Sequence, residues 1–336
     1  MGTYKEIKGR KVQSFASDPP AATAGQVWFN STGSNFKYQI GTAAWSSITT
    51  CPITPNDGLS AGTPSSYIYT GGSPANTVTQ EWNATAWATG GALSITTYNG
   101  GSCGLTGTAA LRMGGYSPGP AHNKTCDEYN GTSWTSKNDM PGTVEGNAGV
   151  GTSTSAMSIG GVAPGGLAQT NSQQWTGTCW NAGPDTNFNI YSAGVLGDSS
   201  TSAYTAGGQA GQAPPSAGGS TTGAAMQNFN GTAWSTIGAL LLVGRANSCY
   251  IGGSSAGIIT NGNTSDPAVA NATQESESWN GTSWTAIAST TVAALNRPNG
   301  STNASSTSHL ITHGINPAGS NGGGQVYTNI KTITQS

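Results

Sequence analysis

Charge is what this chain has least of. Only 7% of its 336 residues are charged, 11 Lys and Arg against 13 Asp and Glu, for a formal net charge of -2. Phosphate binding needs a basic face, and eleven cations spread over such a length do not build one, so nucleic acid is excluded as the main partner. Five of the eleven (Lys5, Lys8, Arg10, Lys11 and Lys37) fall before residue 40, and the remainder of the chain is almost uncharged. Long apolar runs are also lacking. The longest, "IGALLLVG" at 237–244, is far short of the ~20 residues that cross a bilayer as a helix, so no membrane insertion is expected. The opening "MGTYKEIKGRKVQSF" lacks the apolar stretch of a signal peptide, and nothing in it directs the chain into a secretory route.

Helix formers are scarce as well, while Gly, Ser, Thr and Asn dominate. Short strands joined by many turns follow from that composition. Disorder is excluded by ten Trp and eleven Tyr, since chains that stay unfolded are poor in aromatics and rich in net charge. Five cysteines (Cys51, Cys103, Cys126, Cys179 and Cys249) make an odd count without any C-x-x-C spacing. Cys103 follows Trp87 by 16 residues and Cys249 follows Trp234 by 15, which suggests equivalent slots of a repeat. Buried free thiols fit this better than a disulfide framework.

The repeat itself is conspicuous. "WNATAW" at 82–87, "YNGTSW" at 129–134, "WTGTCW" at 175–180, "FNGTAW" at 229–234 and "WNGTSW" at 279–284 share an aromatic, a turn and a tryptophan. Trp45 and the tryptophans that close these units, Trp87, Trp134, Trp180, Trp234 and Trp284, are spaced 42, 47, 46, 54 and 50 residues apart in turn. A glycine follows each at a nearly fixed distance, as Gly72, Gly115, Gly161, Gly208, Gly262 and Gly314, so the length variation falls between that glycine and the next tryptophan. Insertions are tolerated in loops and not within paired strands. Each unit therefore reads as strands a to d: "NAGVGTS" from Asn147 for a, "SAMSIGG" for b, "NSQQW" for c and "CWNAG" for d. Asn-Gly between c and d predicts a type I′ hairpin turn, both residues accepting positive φ.

Four-stranded antiparallel units with a Gly-Gly after b, an aromatic in c and a Trp opening d resemble the kelch β-propeller family over residues 38–336. The resemblance implies an all-β fold, a six-bladed kelch-like propeller. Its strand-c positions are Trp82, Tyr129, Trp175, Phe229, Trp279 and Tyr327, and its strand-d positions are Trp87, Trp134, Trp180, Trp234, Trp284 and Trp45. Departures exist: Asn261-Gly262 and His313-Gly314 replace the double glycine, and Thr332 stands where the last unit needs Trp. Trp45 has no a, b and c strands before it, so the two deficits complement each other. The ring is expected to close by pairing the strand around Trp45 with "GQVYTNI".

Residues 1–37 are expected to form a separate attachment or oligomerisation segment with a short hairpin around "NSTGS". Its "GQVWFNSTGSNF" resembles segments of marine-phage-type virion appendages. That resemblance implies a non-enzymatic structural protein located on the virion, a tail fibre, spike or capsid decoration. Its partners would be other virion proteins through the N-terminal segment, further copies of itself, and a host-surface glycan. The alternatives are a galactose-oxidase-like or carbohydrate-active propeller enzyme and a cellular kelch-type protein-interaction module.

Residue chemistry argues against the enzyme. His309 and His313 are four apart in a strand and share a face, yet His122 is the only other histidine, and they read as packing or surface residues; no metal and no cofactor are expected. Glu81 and Glu128 precede the strand-c aromatics and read as solvent-facing. No catalytic residues are assigned. Seven or more Asn-x-Ser/Thr sequons, Asn83, Asn130, Asn230 and Asn280 among them, read as turn chemistry rather than glycosylation sites. Binding is assigned to the b-to-c loops, expected on one face of the ring, with Gln212, Ser216, Thr221, Asn263 and Asp266 as its candidate residues.

Overall fold

The computed structural model describes residues 13–16, 26–32, 35–39, 44–119, 122–210, 221–264, 272–291, 299–300, 308–316, 319–320, 323–328 and 333–334. The chain divides into two units, Met1–Ala44 with Thr328–Ser336, and Trp45–Tyr327. In the first, strands Gln26–Asn30 and Asn35–Gln39 form an antiparallel hairpin. Gln13–Phe15 pairs in parallel with one edge and Ile333–Thr334 antiparallel with the other. Trp28 is buried there.

The second unit is a six-bladed β-propeller of four-stranded antiparallel sheets. Blade 3 shows the pattern. Ala148–Gly151 is strand a, Ala156–Ile159 strand b, Ser172–Trp175 strand c and Trp180–Ala182 strand d, hydrogen-bonded in that order. Strand a of blade 1 is Leu59–Thr63, of blade 2 Gly101–Thr106, of blade 4 Gly194–Ser199 and of blade 5 Cys249–Gly253. Blade 6 is composite. Asn299–Gly300, Ser308–Thr312 and Gly324–Thr328 supply a, b and c, and Ala44–Ser47 supplies d. The expected closure is therefore observed. No helix among the described residues is long and apolar enough to cross a membrane.

The core lies between blades, because each sheet is buried on both faces by its neighbours. One apolar cluster joins Cys103, Leu111, Met113 and Cys126 of blade 2 to Ala156 and Trp175 of blade 3. A second joins Val150, Met157 and Ile159 of blade 3 to Ala203, Phe229 and Trp234 of blade 4. The c and d aromatics form a tilted pair in every blade. Ring centroids are 5.3 Å apart for Trp82 and Trp87, 4.9 Å for Tyr129 and Trp134, and 5.1 Å for Trp45 and Tyr327. Each fully buried ring contributes on the order of 2–3 kcal/mol. Strand-d indoles also bond to the preceding blade: Trp134 Nε1 donates to Thr79 Oγ1 at 2.9 Å, Trp180 Nε1 to Asn138 O at 3.1 Å and Trp45 Nε1 to Ala288 O at 3.0 Å.

The c-to-d hairpin forms, but not as a type I′ turn. Tyr129 pairs with Trp134 across a four-residue connection in which only Gly131 has positive φ, at 90°. Asn130 instead turns its Oδ1 inward to accept the N–H groups of Thr132 and Ser133, both at 2.9 Å. Asn230 and Asn280 do the same. The side-chain acceptor, not a left-handed Asn, makes the turn.

The cysteines differ in register from the expectation. All five are unpaired thiols, and only Cys179 is exposed. Cys103 faces Leu111 and Cys249 faces Thr260 across their a–b pairs. They sit two ladder positions apart, Cys103 four residues after Asn99 and Cys249 two residues after the equivalent Asn247.

Candidate functional site

Strand direction alternates within a blade, so the b-to-c loops and the connections from d to the next a emerge at one end of the ring. The same end carries a repeated polar device. Two residues before each strand-c aromatic stands an amide or a carboxylate: Gln80, Asp127, Gln173, Gln227, Glu277 and Gln325. Four of them bond the connection arriving from the previous blade. Asn187 N donates to Gln227 Oε1 at 2.6 Å, Leu242 N to Glu277 Oε2 at 2.8 Å and Thr291 N to Gln325 Oε1 at 3.1 Å. In blade 2 the contact is made by a side chain, Ser94 Oγ to Asp127 Oδ1 at 3.5 Å.

The residue just before each of these donors binds the other blade. Leu93, Met140, Thr186, Leu241 and Thr290 donate their N–H to Thr77, Lys124, Thr170, Ala224 and Gln274, each at the start of the preceding strand c. Two adjacent N–H groups thus stitch neighbouring blades together. At two seams the second stitch cannot form. The slot held by Asn187 and Leu242 is Pro141 before blade 3 and Pro52 before blade 1, and proline has no N–H. Gln173 Oε1 and Gln80 Oε1 are, correspondingly, buried acceptors without a hydrogen-bond partner.

Further in, the strand-a arrivals ring the mouth of the central tunnel. Asp57, Asn99, Gly146, Ser192 and Asn247 occupy one equivalent position and all have φ between 51° and 62°. Each passes a main-chain bond to the next: Asn99 N to Asp57 O at 2.7 Å, Gly146 N to Asn99 O at 2.6 Å, Ser192 N to Gly146 O at 3.4 Å and Asn247 N to Ser192 O at 3.1 Å. Only short residues that tolerate the left-handed region fit here. The mouth encloses about 160 Å3 and presents amide and hydroxyl groups, including Asn147 and Ser248. Between the a strands, lined by residues such as Gly101, Gly149 and Gly194, lies a further cavity of about 140 Å3.

Beside the mouth is a half-buried cluster. The rings of Tyr98 and Tyr116 lie 5.2 Å apart, His122 lies 6.0 Å from Tyr116, and its Nε2 is 3.6 Å from Glu145 Oε1. The loop of His122 and the strand-a connection of Glu145 bring it together, a proximity that spacing alone does not reveal.

The predicted binding residues separate. Gln212, Ser216 and Asp266 lie outside the described residues. Thr221 lies in Thr221–Thr222, paired with Gln209–Ala210 at the base of the longest b-to-c loop. Asn263 is 1% exposed. Its main chain bridges Ala246 and its Oδ1 lies 3.1 Å from Asn247 Nδ2, so its side chain holds the loop base to the ring.

His313 is fully buried, stacked at 3.5 Å on Tyr69, with Nε2 3.2 Å from Ile53 O. Burial lowers its pKa to about 3, the Ile53 carbonyl acting in the opposite direction. His309 is also buried. Glu81 departs from its expected solvent-facing place: it accepts the Tyr129 hydroxyl of the next blade, and burial together with that bond pushes the Tyr129 phenol up to about 12. Glu128, half-buried, pairs with Lys137 at 2.7 Å. Two buried ion pairs had no counterpart in the sequence reading. Arg112 binds Asp127, and Arg245 binds Glu277 at 2.5 Å while also donating to Glu275 O at 2.9 Å. Their signal was the carboxylate two before the aromatic. No group of three or more His, Cys, Asp or Glu side chains suited to a metal occurs among the described residues.

No protein-family model and no curated protein matches this chain. Among solved structures, one titled "Structure of YjhT" is similar with a TM-score of 0.66 at 12% identity, over 85% of this chain and 99% of that one. At that identity the likeness establishes a shared fold, the six-bladed β-propeller.

Proposed function

We propose that the chain is a non-enzymatic structural protein of a bacteriophage virion, a fibre, spike or capsid decoration that displays the propeller. The N-terminal segment docks it to the particle or to sister chains, and the face bearing the b-to-c loops contacts host-surface glycans. The kelch-like "YNGTSW" units and the appendage-like "GQVWFNSTGSNF" supply the family side of this reading. The observation that carries the binding side is the chemistry of that face. A ring stitched by main-chain bonds leaves amides and hydroxyls at the tunnel mouth, with the tyrosines Tyr98 and Tyr116 beside it. Amides and hydroxyls, with Asp57 as the one carboxylate residue of the mouth lining, next to aromatic rings suit sugars, whose hydroxyls and C–H faces they complement.

The test is direct imaging. Gold-labelled antibody against the chain should decorate intact particles at a fixed position, and the same antibody should reduce adsorption to host cells. Unlabelled particles from a lysate containing the chain would overturn the structural role. Decoration without any effect on adsorption would overturn the adhesive one.

A further inference from the structure

The seam before blade 3 differs from the other described seams in a way that points outward. Around Gln173 the arriving segment Gly142–Val144 stands off from the blade and leaves a cavity of about 280 Å3. Gly142, Thr143, Val144, Ser158, Asn171 and Gln173 line it, and the b-to-c hairpin (Val162–Ala163 with Leu167–Ala168) flanks it through Ala163 and Pro164. In blades 4, 5 and 6 the equivalent oxygen is taken by a main-chain N–H of the connection. Here Pro141 withholds that donor, and Gln173 Oε1 is a buried acceptor without a partner. Blade 1 has the same proline, Pro52, and an equally unmet Gln80 Oε1, but there the whole residue is buried, at 2% exposure, whereas Gln173 is half-buried and lines the cavity.

We infer that the blade-3 cavity is a subsite for one neutral sugar unit, with a ligand hydroxyl donating to Gln173 Oε1 in the place that a backbone N–H fills elsewhere. An unmet buried acceptor discriminates strongly for a ligand that carries a donor. No ionisable side chain lines the cavity, so neither an anion nor a cation is favoured. The lining combines amides and hydroxyls with the apolar Val144, Ala163 and Pro164, and so offers both kinds of contact that a pyranose ring makes. The cavity is near the lower bound of small-molecule sites, the size of a single ring. This deepens the adhesive part of the function proposed above and rests on it.

Three variants of the full chain decide it, by saturation-transfer NMR with D-glucose, D-galactose and N-acetyl-D-glucosamine. At least one sugar should bind the parent protein with a dissociation constant on the order of 1 mM, as expected for so small a ligand. Gln173→Leu removes the acceptor, and Pro141→Ala supplies an internal donor that competes for it. Each should weaken binding about tenfold or more. Pro52→Ala makes the same backbone change at the blade 1 seam and should leave binding unaltered. Saturable binding that persists in Gln173→Leu and Pro141→Ala would overturn the subsite while leaving glycan adhesion standing. Absence of binding by all three sugars at about 50 mM would overturn it too. Failure of the virion reading shows separately, in the particle labelling.

Discussion

Trp45 and Tyr327, from opposite ends of the ring's sequence, pack with centroids 5.1 Å apart at 52° and close the propeller with the same aromatic pair that each of the other blades builds from residues five apart. Trp45 also donates to Ala288 O of blade 5. Trp45→Ala removes both the pair and the bond, and should cost about 3–5 kcal/mol, the range for a buried tryptophan. Urea unfolding should show a lowered midpoint. A midpoint within error of the parent would mean that closure does not depend on this pair.

Ala84 has φ of 79° in the c-to-d turn of blade 1, where the equivalents Gly131, Gly177, Gly231 and Gly281 stand at 88–95°. An L-residue in that region costs roughly 1–2 kcal/mol, partly offset by the greater chain entropy that glycine loses on folding. Ala84→Gly should therefore raise stability by about 0.5–1 kcal/mol. Gly131→Ala should lower it. The pair of denaturation midpoints moving the same way would refute the backbone account.

Burying His313 neutral links stability to pH. Its pKa is about 3 in the fold, against 6.5 for a solvated histidine. Between those values the unfolded chain takes up a proton that the folded chain refuses, so stability is full above about pH 6.5 and falls as pH drops. The slope reaches at most ~1.4 kcal/mol per pH unit from this group. His313→Asn keeps a residue that tolerates φ of 56°, as Asn261 does at 57° in blade 5, while removing the titration. Melting temperatures between pH 7 and pH 4 should fall less steeply in the variant. Parallel slopes would show that His313 is protonated at little cost.

Arg112 and Asp127 are both 1% exposed by side chain, and the guanidinium also reaches Thr125 Oγ1 at 2.8 Å. Arg112→Met leaves a buried carboxylate uncompensated and should cost about 3–5 kcal/mol, whereas adding Asp127→Leu should recover much of that loss. A double-mutant cycle by chemical denaturation gives the coupling directly; additive losses would show that the pair is not coupled.

The ring was legible because burial recurs at blade spacing. Aromatics such as Tyr129 and Trp134 must face a neighbouring blade, and a missing Trp near Thr332 points to Trp45. The seams were not legible. Gln227 and Glu277 sit on strands where a polar residue reads as outward, and the main-chain N–H groups that bind them carry no sequence signature. Nothing in the sequence marks the role of Pro52 and Pro141, because it depends on which N–H the other seams use. Asn263 was read as a loop residue available to ligands. Its bridge to Ala246 buries it, because a long loop still needs a fixed base.

The chain of main-chain bonds from Asp57 to Asn247 has an evolutionary consequence. Because those contacts make no use of side chains, the mouth can exchange Asp, Asn, Ser and Gly without loosening the ring, but the left-handed backbone bars bulky or branched replacements. Novelty of shape must then come from the loops outside it, while the mouth varies only in charge and hydrogen-bonding character. A lineage changing its target would keep a constant centre and rewrite the rim.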